Sequence, residues 1–466
     1  MLFSSMTFIF TFLPAVLLVY YLANRKYRNL ILCIFSLFFY AYGEPILVLL
    51  MIVSIIANYY FAQLISRHRQ HGKLFLVLAL VFNLGLLGFF KYFNFGVSIV
   101  TQMTGLSFNL PIIGLPIGIS FYTFQILSYV IDVYRGKVKV QKNIIKLGTY
   151  IAFFPQLIAG PIVQYKDIEK QLDDRRESTT LFIAGVKRFI IGLAKKIIIA
   201  NNVAYIADTL YAQPIAEVST TGLWIAAIAY MLQIYFDFSG YSDMAIGLGK
   251  MFGFNFLENF NYPYIAKSVS DFWRRWHISL SMWFRDYVYI PLGGNRCSKI
   301  KWIRNFLIVW LLTGIWHGAN WNFIIWGIYY GIVLLCEKIF LGKKLEKAPT
   351  VIRWLYTMFV VIIGWVIFRV EDLSTLAMTL GKMFGINGSF SLSSIFYDDF
   401  LLVAALPYIL FGILFMTPLL RKAFVYFERK CALLIPLKYV IYLGLFVLAI
   451  AFLLSNSYNP FIYFRF

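Results

Sequence analysis

The chain has 466 residues, 61% of them hydrophobic and 14% charged, with a formal net charge of +21. A soluble domain carries roughly 25% charged residues, so this composition excludes a water-soluble globular protein and requires extensive lipid-facing surface. The excess of Lys and Arg is spread over many short loops rather than one face, which excludes a nucleic-acid binder; it fits basic cytoplasmic loops and leaves room for a phosphate-rich ligand.

The first apolar stretch has no Lys or Arg before it, unlike a signal peptide. Arg25, Lys26 and Arg28 follow it. By the positive-inside tendency they are cytoplasmic and the N-terminus faces out. Apolar windows at 46–65, 74–90, 223–236, 354–368, 401–420 and 439–454 are the plainest spans. About 20 apolar residues cross a hydrocarbon core of roughly 30 Å. Further basic clusters, such as Arg67, Arg69 and Lys73 or Lys343, Lys344 and Lys347, punctuate the runs, whereas loop 371–399 is poor in Lys and Arg and reads as external. The pattern predicts an all-α, polytopic integral membrane protein with about eleven transmembrane helices plus re-entrant and interfacial ones. It reads as a single membrane domain over 1–466, with four simple helices in 1–110, a functional core in 111–340 and ordinary spans in 341–466.

The core is dense in Gly, Pro and charge. Residues 111–120 and 153–161 are apolar but broken by Pro and Gly. Irregular backbone at membrane depth is tolerated only inside protein or beside a water-filled cavity, so both segments read as re-entrant. In 182–199 the spacing sets Lys187, Arg188, Lys195 and Lys196 on one helical face, which predicts an amphipathic helix lying at the cytoplasmic interface. Asp237 and Asp243 close an apolar run. Intramembrane acids face the interior or water; the plainer reading is structural anchoring beside a helix break at Gly240.

Residues 271–286 read as one aromatic and cationic helix. Asp271 and Arg275 are spaced to pair, and Trp273, His277, Leu280 and Phe284 form a stripe. An interfacial aromatic belt with snorkelling arginines explains this pattern. So does phosphate binding by the arginines, whose planar forks suit that task. In the third motif His317 sits between the apolar runs 306–312 and 323–335, flanked by Gly314, Trp316, Gly318 and Trp321. A neutral imidazole at membrane depth can take a proton from a hydroxyl or thiol; a hydrogen-bonded structural histidine is the alternative. No Cys or acidic triad stands at ligand spacing from either histidine, so no metal site is expected. The absence of a GxSxG elbow speaks against a serine hydrolase. His68 and His71 lie in a basic loop and read as surface residues.

Residues 271–286, the following run Tyr289 to Arg296, and Thr313 to Trp321 resemble the membrane-bound O-acyltransferase family, in particular its bacterial alginate O-acetylation-type branch, with the teichoic acid D-alanyl transfer proteins as relatives. Residues 153–161 and 236–243 fit the same branch. The resemblance implies helices around a central tunnel and two functional histidines, His317 as the catalytic residue and His277 as the other. It implies no permanently bound cofactor. The donor would be acetyl-CoA or another acyl thioester, including an acyl carrier protein, with Arg274, Arg275, Arg285 or Arg296 holding its phosphates. The acceptor would be a hydroxyl of an extracytoplasmic cell-envelope polysaccharide or of an acyltransferase or esterase-like partner protein, and the location a bacterial cytoplasmic (inner) membrane. D-alanyl transfer to teichoic acid is the alternative within the enzyme class. A transporter or flippase for an envelope precursor is the alternative outside it, and a structural scaffold the third.

Overall fold

In the computed structural model the described residues are 1–106, 110–388, 390, 399–431, 434–455 and 461–462. They are helical, with no strand among them. Six helices are long and apolar enough to cross a membrane: Leu47–Arg67, Arg69–Thr104, Thr220–Met251, Trp321–Lys347, Thr350–Arg369 and Pro436–Ser455. A seventh span forms if the pair Leu406–Phe415 and Leu419–Glu428, bent by 65°, counts as one. The six plainest windows in the sequence all fall on helices, and the chain is a multi-pass membrane protein. About eleven spans are not reached among the described residues. Several apolar stretches instead form helices of 16 residues, such as Arg28–Gly43 and Ile119–Tyr134. Part of loop 371–399, residues 389 and 391–398, lies outside the described residues.

By contact the described residues divide into two compact units. The first is Met1–Phe189 with Ser242–Leu257. Its N-terminal part holds the helices Leu13–Leu22, Arg28–Gly43, Leu47–Arg67 and Gly72–Thr104. Several polar groups buried there are paired, since an unmade hydrogen bond in an apolar setting is costly. Asn58 and Asn83 exchange side-chain hydrogen bonds of 3.0 and 2.7 Å. Glu177 accepts from the Tyr20 hydroxyl at 2.5 Å and pairs with Arg28 at 2.8 Å. The segment before Ile119 lacks regular structure, and Gly118 has φ +76 with Leu157 O only 2.8 Å from where a Cβ would stand. Residues 153–165 are all buried, so the Pro- and Gly-broken backbone there is surrounded by protein.

The second unit is Ile190–Tyr241 with Glu258–Phe466. Thr179–Ala194 is a helix continued by a π-turn at Lys195–Ala200, and of its four basic residues Lys196 is buried while Lys187, Arg188 and Lys195 are half-buried. Lys196 and Asp237 meet at 2.7 Å with side chains 3% and 2% exposed. Within the first unit, Arg188 meets Asp243 at 2.6 Å. The two acids therefore neutralise the two bases rather than lining a polar path; a buried charge survives only when it is paired. Thr220–Met251 also runs unbroken through Gly240. That glycine admits a close approach instead of a break: a Cβ on it would lie 2.8 Å from Gly192 O.

Candidate functional site

The site is built entirely within the second unit. Ser268 caps the short helix Val269–Arg275 by accepting from Asp271 N at 3.0 Å. Glu337, 3% exposed, caps it a second time. Its two carboxylate oxygens accept from Val269 N at 2.7 Å and Ser270 N at 2.8 Å. A carboxylate is favoured at a helix N-terminus because it faces unpaired N–H groups. Asp271 and Arg275 pair at 3.0 Å, as their spacing predicts.

The helix ends there. Residues 271–286 are not one helix, contrary to the reading of the sequence: His277 adopts φ 44, ψ 54 between Val269–Arg275 and Ile278–Phe284. A non-glycine residue in this left-handed region costs roughly 1–2 kcal/mol and persists where its surroundings impose it. They do so through the preceding loop. Asn261 N donates to Arg275 O at 2.9 Å and Ile278 N donates to Asn259 O at 3.0 Å. These bonds clamp the chain on both sides of His277. The break turns the imidazole into the protein, where it is 1% exposed. Phe238 stands edge-on to it at 4.7 Å and Trp316 lies 6.1 Å away. His277 lies outside the six helices that are long and apolar enough to cross a membrane among the described residues. Burial pushes its imidazole well below the usual range, and neighbouring His317 adds to the effect.

His317 is the last residue of the helix Lys299–His317 and is 7% exposed. Two close approaches of this helix to Trp321–Cys336 place it. A Cβ on Gly314 would lie 2.4 Å from Phe323 O, and one on Gly318 would lie 2.1 Å from Phe323 Cε2. Only hydrogen fits at either position. The imidazole is boxed by Trp316 at 5.0 Å, Trp326 at 5.0 Å and Phe368 at 5.2 Å between ring centres.

Both histidines line one cavity of about 530 Å³. Trp273, Trp276, Phe284, Phe306 and Trp310 supply apolar wall; Arg274, Arg285 and Lys338 supply positive charge, with no Asp or Glu among its lining residues. Of the four arginines singled out in the sequence, Arg274 and Arg285 reach the cavity and Arg275 and Arg296 do not line it. Arg275 is held by Asp271 and by the Asn261 carbonyl at 3.3 Å. Lys338 and Asn259 escaped sequence reasoning. Lys338 follows an apolar run and looks like a span-ending charge, yet its ammonium lies 4.4 Å over the Phe306 ring. Among the described residues no three His, Cys, Asp or Glu side chains gather to hold a metal.

The profile of the membrane-bound O-acyltransferase family matches residues 139–380, which carry all of these groups. The "Probable alginate O-acetylase" of Pseudomonas putida is 40% identical over the whole of both chains. A peptidoglycan O-acetyltransferase of Helicobacter pylori is 36% identical over 83% of this chain and 80% of its own length. A teichoic acid D-alanyltransferase of Bacillus subtilis is more distant, at 32% identity over 53% of this chain and 65% of its own.

Proposed function

This chain belongs to the membrane-bound O-acyltransferase family, and we propose that it moves an acetyl group from a cytoplasmic thioester, acetyl-CoA being the simplest, to a hydroxyl of an extracytoplasmic envelope polysaccharide or of a partner protein that serves one. The observation that carries this reading is one cavity lined by both histidines together with Arg274, Arg285 and Lys338.

His317 is the general base. It takes the proton of the acceptor hydroxyl as the oxygen attacks the thioester carbonyl, and the tetrahedral intermediate then collapses. The C–S bond breaks and the thiolate leaves with the proton from His317. A positioned base of this kind contributes roughly 10²–10⁴-fold. His277 orients the reacting groups or stabilises the charge that develops. Arg274, Arg285 and Lys338 meet the donor's phosphates, a task Arg performs with a planar fork of donors and Lys as a point charge. Arg275 and Arg296 lie off the cavity and are left out of this role. The apolar walls exclude water, which strengthens each charge interaction and protects the thioester from hydrolysis. The protein sits in a bacterial cytoplasmic membrane with its N-terminus outside, and an extracytoplasmic acyltransferase or esterase-like protein assists delivery. The alginate- and peptidoglycan-acetylating relatives align with far more of the chain than the D-alanylating one does, which favours acetyl as the acyl group.

Membranes carrying the protein, supplied with radiolabelled acetyl-CoA, test the reading. Wild type attaches label covalently to envelope material, and His317→Ala at normal protein level loses at least about 100-fold of that transfer. Near-wild-type transfer by His317→Ala removes the assignment. A transporter would translocate its substrate without forming the acetyl ester.

A further inference from the structure

We propose that Asn259 is a positioning residue that fixes the tautomer of His277, so that the ring carries its proton on Nδ1 and offers Nε2 as an acceptor. The inference rests on the acyl-transfer reading above for what that acceptor does, but not for the tautomer itself.

Asn259 is fully buried, and a side-chain amide can be turned either way unless its partners decide. Here they do. The backbone N–H of Ser279, which can only donate, points at Asn259 Oδ1 at 3.2 Å, and the Ser279 hydroxyl points at the same atom at 2.9 Å. The atom facing them is therefore the amide oxygen, an acceptor. His277 Nδ1 lies 3.1 Å from that same oxygen. Two acceptors cannot share a hydrogen bond, so Nδ1 bears the hydrogen. Burial keeps the ring neutral. A neutral imidazole holds one hydrogen on nitrogen, and Nε2 is then left with a lone pair.

Asn259 is placed to do this because its own backbone carbonyl accepts from Ile278 N. One residue thus holds both the left-handed backbone of His277 and the orientation of its ring. The functional consequence is specific. In its resting form His277 has no Nε2 hydrogen to give to an oxyanion. It accepts one instead, from the acceptor's hydroxyl or from a proton-bearing group beside it, and so it orients rather than neutralises. The surrounding groups fit that role. His317 acts on it from the Lys299–His317 helix, Phe238 faces it from Thr220–Met251, and Asp237 next to Phe238 is tied to Lys196. The charges that share its cavity are Arg274, Arg285 and Lys338.

The full-length protein contains four histidines, which makes their ring nitrogens separable by NMR after histidine labelling in detergent. The signal absent from His277→Gln belongs to His277. Protonated Nδ1 with bare Nε2 is expected; protonated Nε2 overturns the proposal. The second readout is acetyl transfer from acetyl-CoA as a function of pH. Asn259→Asp still accepts from Nδ1 but adds a negative charge, which favours the imidazolium. The acid limb of its profile should move to higher pH by about one unit, with a plateau rate within about tenfold of wild type. Asn259→Ala should lose about 100-fold in kcat with little change in the KM for acetyl-CoA. If Asn259→Ala fails to accumulate, Asn259→Asp decides: an unmoved acid limb refutes the coupling. A fully active His317→Ala would overturn the acyl-transfer reading while leaving the NMR result to judge the tautomer.

Discussion

Gly318→Ala places a methyl group where the structure has no space for one. The backbone at Gly318 is extended, with φ −164, so any residue can adopt it and the obstacle is purely steric. The new Cβ would stand 2.1 Å from Phe323 Cε2 and 2.2 Å from Cδ2. Ordinary contact begins at 3.4 Å, so the ring must retreat by about 1.3 Å. It has little freedom to do so, because Phe323 is 3% exposed and stands edge-on to Phe368 at 4.9 Å. Phe368 in turn stands edge-on to His317 at 5.2 Å. Overpacking of this kind typically costs roughly 1–3 kcal/mol. Displacing a reacting group by about 1 Å can cost about 100-fold in rate. Gly318→Ala should therefore accumulate in membranes, melt earlier than wild type in detergent and lose about 100-fold in acetyl transfer. Adding Phe323→Leu should restore part of the melting temperature. Wild-type melting and transfer by the single variant would refute the packing argument.

Removing the carboxylate with Glu337→Ala should lower stability by about 2 kcal/mol or more, because two N–H groups lose their acceptor; thermal unfolding in detergent reads it. Asp237→Asn should cost about 3–5 kcal/mol by leaving the Lys196 ammonium buried without its counter-charge. The paired change Lys196→Met with Asp237→Leu should recover most of that loss, again by melting. Replacing Arg274 and Lys338 together by Ala should raise the KM for acetyl-CoA about tenfold or more while moving kcat less, read by initial rates across donor concentration.

Much of the architecture was legible because lipid imposes a simple code. The long apolar windows became helices, including the stretch through Asp237 and Asp243. The two candidate histidines stand out because the chain has so few and because Gly314 and Gly318 flank one of them. What the sequence concealed depends on partners remote along the chain. Nothing in the pattern of Lys187, Arg188, Lys195 and Lys196 says that acids about forty to fifty-five residues later will pair with two of them. The helical stripe through Trp273, His277 and Leu280 satisfies the periodicity of a continuous helix. It gives way because Asn259 and Asn261 hold the left-handed break, an interaction no local rule contains. Arg275 carries the same charge as Arg274 and is diverted by Asp271, while Lys338 reaches the cavity from a different helix.

The central claim is that the cavity of His277 and His317 passes an acetyl group to a hydroxyl. The most direct measurement is covalent incorporation of labelled acetyl from acetyl-CoA into envelope material, in membranes bearing either wild-type protein or His317→Ala at matched level. The account predicts alkali-labile ester label with wild type and a loss of at least about 100-fold with the variant. Equal labelling by the two proteins would contradict it.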